Sequence, residues 1–127
     1  MVLSTLLHDV AKHLCTKEVN GELETKKHSV LGARMVREIL WGKDRIWEVS
    51  WKMREEVSNM VLLHALPVRF LDKVDPDRYI HGSSQVLINK QLRALSLADS
   101  EGRICENPND KKYALDAIEL FELFCEE

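Results

Sequence analysis

The strongest constraint on this chain is the three-and-four spacing of its apolar residues, cut into segments by proline, glycine and asparagine. Leu3, Leu7, Val10 and Leu14 repeat at that spacing, with Leu6 beside them, and predict a first helix over about 3–14. His28, Leu31, Met35 and Ile39 share a face of a second helix over about 28–40; Gly42 stops it, and Gly32 permits a close neighbour. The stretch Ile46–Leu66 carries a third helix, beginning near Trp47. Its inner stripe holds Val57, Met60, Val61 and His64, and Pro67 closes it. Asp75-Pro76 joins an N-cap to a proline at the first helical position and opens a short helix ending near Gly82. Ser83 or Ser84 caps a helix over about 85–101, with Ile88, Leu92, Leu95 and Asp99 in phase. Asn107-Pro108 repeats the cap-and-proline signal before a last helix over about 109–125. There Leu115, Ile118, Phe121 and Cys125 face inward, while Glu119, Glu122 and Glu126 form a solvated face. Residues 15–27 read as a loop with a turn at Asn20-Gly21. No segment shows the alternation a strand needs. The expected fold class is all-α: one helical domain over 1–127 with about five main helices and a short one.

Composition narrows the function. Of the 127 residues, 45% are hydrophobic and 31% charged, which fits a globular domain and excludes a disordered chain. No apolar run is long enough to span a bilayer, and Met1–Leu7 lacks the basic and apolar regions of a signal peptide. The net charge is −3, from 18 Lys+Arg against 21 Asp+Glu. That disfavours extended nucleic acid as a ligand and leaves a single nucleotide or a strand end. Cys15, Cys105 and Cys125 are odd in number, widely spaced and in no CxxC pair, as expected of reduced thiols in a cytoplasmic protein.

Several polar residues break the pattern of their helices. Asp99 follows Leu92 and Leu95 around the inner face, and His64 follows Val57, Met60 and Val61. A buried carboxylate needs a cation, a metal or dense hydrogen bonding, and a structural ion pair is the simpler reading. A lone inward histidine is more often a satisfied core residue than a ligand. His8 and Asp9 leave the leucine stripe of the first helix, with Lys12 between them; they are solvated unless other helices cover that side. His13 falls beside Leu6 and should pack, His28 could equally be a surface or capping residue, and His81 suits a last helical turn. Trp41, Trp47 and Trp51 should pack between helices two and three. His8, Asp9, His28, His64 and Asp99 thus offer imidazole and carboxylate from four helices, a set suited to Mn, Fe, Co, Ni, Zn or Mg. Steps of 19, 36 and 35 residues from Asp9 through His28 and His64 to Asp99 make no local metal motif, so only the fold could join them.

At these residues the sequence resembles the HD-domain superfamily of metal-dependent phosphohydrolases. His8-Asp9-Val10-Ala11-Lys12 is similar to the family's His-Asp-x-Gly-Lys, with Ala11 in the glycine place. Lys27–Ala33, around His28, resembles the family's second histidine segment. Leu63–Pro67, around His64, and Leu97–Arg103, around Asp99, resemble its later segments. The likeness runs from His8 to about Arg103, and is nearest to the HD domains of RNA-processing nucleotidyltransferases and those beside nucleotide-kinase-like ATPase modules. It implies an HD-type helical bundle and a divalent metal held by His8, Asp9, His28, His64 and Asp99. It also implies catalytic roles for Asp9, Lys12 and His64, and hydrolysis of a phosphomonoester or phosphodiester on a nucleotide or RNA end. The family usually supplies one more histidine upstream; none of the seven residues before His8 is histidine, so the chain reads as a fragment of a longer domain or as an incomplete site. The competing expectation is a non-catalytic accessory domain that packs against a partner ATPase or nucleotidyltransferase domain.

Overall fold

Hydrogen-bond closure within a few residues sets most element boundaries in the computed structural model, which describes residues 1–45 and 48–126. The chain forms two units, Met1–Leu62 and Leu63–Glu127. Both are mainly helical. Among the described residues no helix is long and apolar enough to cross a membrane.

The first unit begins with α1 (Val2–Leu7) and the short α2 (Lys12–Cys15). The single helix expected over 3–14 is broken, because His8–Ala11 form a turn. Val10, Lys12 and Leu14 donate their N–H groups three residues back, to Leu7, Asp9 and Ala11, at 3.0–3.1 Å. That winding is tighter than an α-helix. It swings Leu14 out to solvent and buries Ala11 completely, near Gly32. His13, expected to pack, is exposed for the same reason.

Residues 15–27 are a hairpin as well as a turn. Strands β1 (Thr16–Val19) and β2 (Glu22–Thr25) pair antiparallel, with Thr16 opposite Thr25 and Val19 opposite Glu22. Asn20 and Gly21 have φ of 53° and 82°, the positive values a two-residue hairpin turn requires. The expectation of no strand fails here because these strands are short and largely exposed, so nothing selects apolar alternation.

Helix α3 (His28–Trp41) starts and stops where its sequence indicates, with the Gly42 N–H bonded to Glu38 O at 2.6 Å. Its buried face is Gly32, Ala33, Val36 and Leu40, and the predicted stripe of His28, Leu31, Met35 and Ile39 is only half-buried. Gly32 explains the rotation: a Cβ there would stand 3.0 Å from Val61 Cγ1, so α4 (Trp51–Leu63) comes closest on that side. Val36, Leu40, Val57 and Val61 form the core of this unit, with Leu3, Leu7, Val10, Ile39 and Val49 packed against it. Gly32→Val should wedge α3 from α4 and cost about 1–3 kcal/mol, read as a lower denaturant midpoint.

The expected helix start at Ile46–Trp47, and Trp47 itself, lie outside the described residues; α4 begins at Trp51. Trp41 and Trp51 do not pack between helices. Both are exposed and flank the Arg54 guanidinium, at 4.9 and 5.8 Å from their ring centres. Glu55 takes hydrogen bonds from Arg37 at 2.9 Å and Arg54 at 2.7 Å, which ties α3 to α4. The Arg37 bond, reinforced by Arg54 and opposed by partial burial, holds the Glu55 carboxyl below its ordinary 4.5. A depressed carboxyl pKa stabilises the native state above the unfolded value, and the effect fades as pH falls through the native one. Glu55→Gln should therefore melt lower than the unaltered chain at neutral pH, and the two melting curves should converge in acid below 4.5.

In the second unit α5 (Leu66–Arg69) carries Pro67 within its first turn, so the proline opens a helix; α4 has already ended at Leu63. A 3₁₀ turn, Phe70–Asp72, follows. Asp75 caps α6 (Pro76–Val86) by accepting from the Arg78 N–H at 3.1 Å. That helix runs past Gly82, which leaves His81 mid-helix. Ser83 and Ser84 do not cap the next element. The Ser83 hydroxyl instead meets Asn89 Oδ1 at 2.6 Å, and α7 (Asn89–Gly102) starts there, with Ile88 exposed before it. Helix α8 (Pro108–Glu126) packs on α7 and α5. Ile118 and Phe121 are buried as expected and Leu115 is half-buried. Cys125 is exposed, because the rings of Phe121 and Phe124 turn the last turns of α8 onto Phe70 (centroids 5.5 and 5.3 Å). Glu119 and Glu126 are solvated, whereas Glu122 pairs with Arg93 at 2.8 Å.

Candidate metal centre

The tight turn between α1 and α2 presents two neighbouring side chains on one side of the first unit. His8 Nδ1–H donates to the Thr5 carbonyl at 2.7 Å, which fixes the ring. Nε2 then faces Asp9 Oδ2 at 3.6 Å. On the other side, His28 Nε2 lies 3.5 Å from Asp9 Oδ1. His28 is the first residue of α3, and Lys27 before it has φ 60°, a left-handed conformation rare for lysine, so the chain turns sharply into the helix. The Lys12 ammonium stands 3.5 Å from Asp9 Oδ2. His8 and His28 are largely sheltered, with 17% and 19% of their side chains exposed, against 30% for Asp9.

These separations suit ion ligation. Two donors about 2.1 Å from a shared ion stand about 3.4 Å apart at a tetrahedral angle. The observed 3.5 and 3.6 Å are close to that edge and long for hydrogen bonds. Asp9 turns a different oxygen to each imidazole, the arrangement of a carboxylate that can bridge two ions. Imidazole and carboxylate donors of this kind suit a divalent transition metal. Ala11 has φ −95° and ψ −1°, accessible to any residue, so glycine is not needed in its place.

The remaining predicted ligands belong to the second unit. His64 follows the last turn of α4 and is 2% exposed, as its phase with Val57, Met60 and Val61 requires. Asp99 lies on α7 with 17% of its side chain exposed, and its Oδ2 accepts from Arg103 Nη2 at 3.1 Å. Arg103 is exposed at the end of α7.

Sequence reasoning missed the two threonines that flank the hairpin. Thr16 Oγ1 donates to the Lys12 carbonyl at 2.7 Å and lies 2.8 Å from Thr25 Oγ1. Their equal spacing about Asn20-Gly21 was the available signal. Comparison with protein-family models, with curated proteins and with solved structures finds no match for the chain.

Proposed function

We propose that this protein is a metal-dependent phosphohydrolase of the HD type, acting on a phosphomonoester or phosphodiester of a nucleotide or RNA end. The observation that carries the reading is the Asp9 carboxylate set between two imidazoles, one oxygen toward each. In this reading His8, Asp9 and His28 hold a divalent ion (Mn, Ni, Co, Fe, Zn or Mg), with Asp9 as the bridge where two are bound. His64 and Asp99, in the second unit, have sheltered side chains, and the family resemblance gives them metal-ligand roles. A bound ion supplies Lewis acidity toward phosphate oxygen and lowers the pKa of attacking water. The protein's own groups do the rest. Thr5 holds the His8 ring, Arg103 orients Asp99, and Lys12 places positive charge where the phosphoryl group gains negative charge. His64, a buried imidazole, is assigned the role of binding phosphate or holding a proton. The three free thiols fit a cytoplasmic setting.

One observation favours the competing reading, an accessory domain seated on an ATPase or nucleotidyltransferase partner. Lys12 and Arg103 pair with Asp9 and Asp99, so both carboxylates have a cation without any metal. Elemental analysis of the purified chain, followed by hydrolysis of aryl phosphodiesters and phosphomonoesters with each divalent ion, separates the two. Stoichiometric metal with metal-dependent hydrolysis is the expected result. Absence of both, with a tightly bound helical partner, would establish the accessory role instead.

A further inference from the structure

We infer that the Thr16–Thr25 hydroxyl pair is a positioning latch that sets the separation of Asp9 from His28, and with it the affinity of the metal site; the inference rests on the metal reading above. The hairpin is the stretch of chain that carries Asp9 and Lys12 over to His28. At its open end Thr16 and Thr25 lie opposite each other in register. The Thr16 proton is engaged by the Lys12 carbonyl at 2.7 Å, so Thr25 Oγ1–H donates to Thr16 Oγ1 at 2.8 Å. Lys12 N–H in turn donates to the Asp9 carbonyl at 3.0 Å. A continuous run of hydrogen bonds therefore leads from Thr25 through Thr16 and Lys12 to the Asp9 backbone. Thr25 itself stands three residues before His28, and the left-handed Lys27 turns that short connection into α3.

The Asn20-Gly21 turn already fixes the strand register, so the threonine pair is not needed to set it. Nor does burial hold the hairpin: Lys17, Glu18 and Leu23 are exposed, Leu23 by 78%. The pair's distinct consequence falls on its flanks, where the two strands lead into α2 and α3. A ligand pair must be held to within a few tenths of an ångström for tight coordination, and groups that only orient ligands commonly control metal affinity.

The test is calorimetric titration of the full chain with Mn²⁺ and, separately, Zn²⁺, alongside thermal melting. Thr25→Val keeps the shape and removes the hydroxyl; it should weaken binding roughly tenfold, with Thr25→Ser restoring affinity to within about twofold. A purely structural threonine would lower the melting temperature and leave affinity in the folded chain unchanged, which would overturn the latch. Thr25→Ala repeats the comparison with less bulk should Thr25→Val not fold. Failure of the unaltered chain to bind either ion would overturn the metal reading, and the latch with it. Equal affinity of the unaltered chain and Thr25→Val would overturn the latch alone.

Discussion

Asp9→Ala is expected to abolish metal uptake, weakening binding by at least about 100-fold, the upper end of what loss of a mere orienting partner costs. Asp9 faces both His8 and His28, through different oxygens at 3.6 and 3.5 Å. Its removal takes away the carboxylate that faces both imidazoles and leaves the Lys12 ammonium to repel an incoming cation. Folding should survive. The Asp9 ion pairs are part-exposed, and pairs of that kind contribute no more than about 1 kcal/mol. A melting curve close to that of the unaltered chain, with metal binding and metal-dependent hydrolysis both lost, is the expected pattern. Unchanged ion affinity in Asp9→Ala would remove the proposed chemistry. Asp9→Asn, which keeps the shape and loses the charge, should fall between the two.

The largest expected effect on stability comes from the second unit. Phe70 is fully buried and meets Phe121 and Phe124 edge-on, at 5.5 and 5.3 Å between centroids. Phe70→Ala removes a ring's worth of transfer free energy and leaves a cavity that its neighbours fill only in part. The expected cost is about 3–5 kcal/mol. That is a large share of the roughly 5–15 kcal/mol that holds a typical domain together. A denaturant titration should show the midpoint collapse, and Phe70→Leu should recover most of it because Leu refills much of the volume. A loss under about 1 kcal/mol would mean that Phe70 does not anchor this core.

The legible parts of the fold were those with local causes. The Val57, Met60, Val61 and His64 stripe is buried as its spacing requires. Asp75-Pro76 and Asn107-Pro108 open helices because a side-chain acceptor and a proline act within the first turn. Gly42 ends α3 where expected. The misreadings arose where packing or turn geometry overrode period. Leu3 to Leu14 spell one helix, yet the chain tightens at His8–Ala11 and sends Leu14 to solvent. The hairpin escaped notice because its side chains face water and carry no burial pattern, although Asn20-Gly21 named its turn. Trp41 and Trp51 stack on Arg54 at the surface, a preference that hydrophobicity alone does not show.

The site divides in the same way. Phase singled out His64 and Asp99 as polar residues on inner helix faces, while His8, Asp9 and His28 drew notice by residue type and by the family resemblance. The meeting of His28 with Asp9 was not in any local pattern. It depends on a tightened turn, a threonine-latched hairpin and one left-handed lysine between them. Helix caps and stops act through bonds a few residues long, so the sequence by itself determined the mainly helical character and the starts and stops at His28, Gly42, Asp75-Pro76 and Asn107-Pro108. Imidazoles far from their carboxylate in the chain approach it only when the intervening backbone is folded back. That return path is set by packing and hydrogen bonds among distant residues, and so the tertiary structure alone decided it.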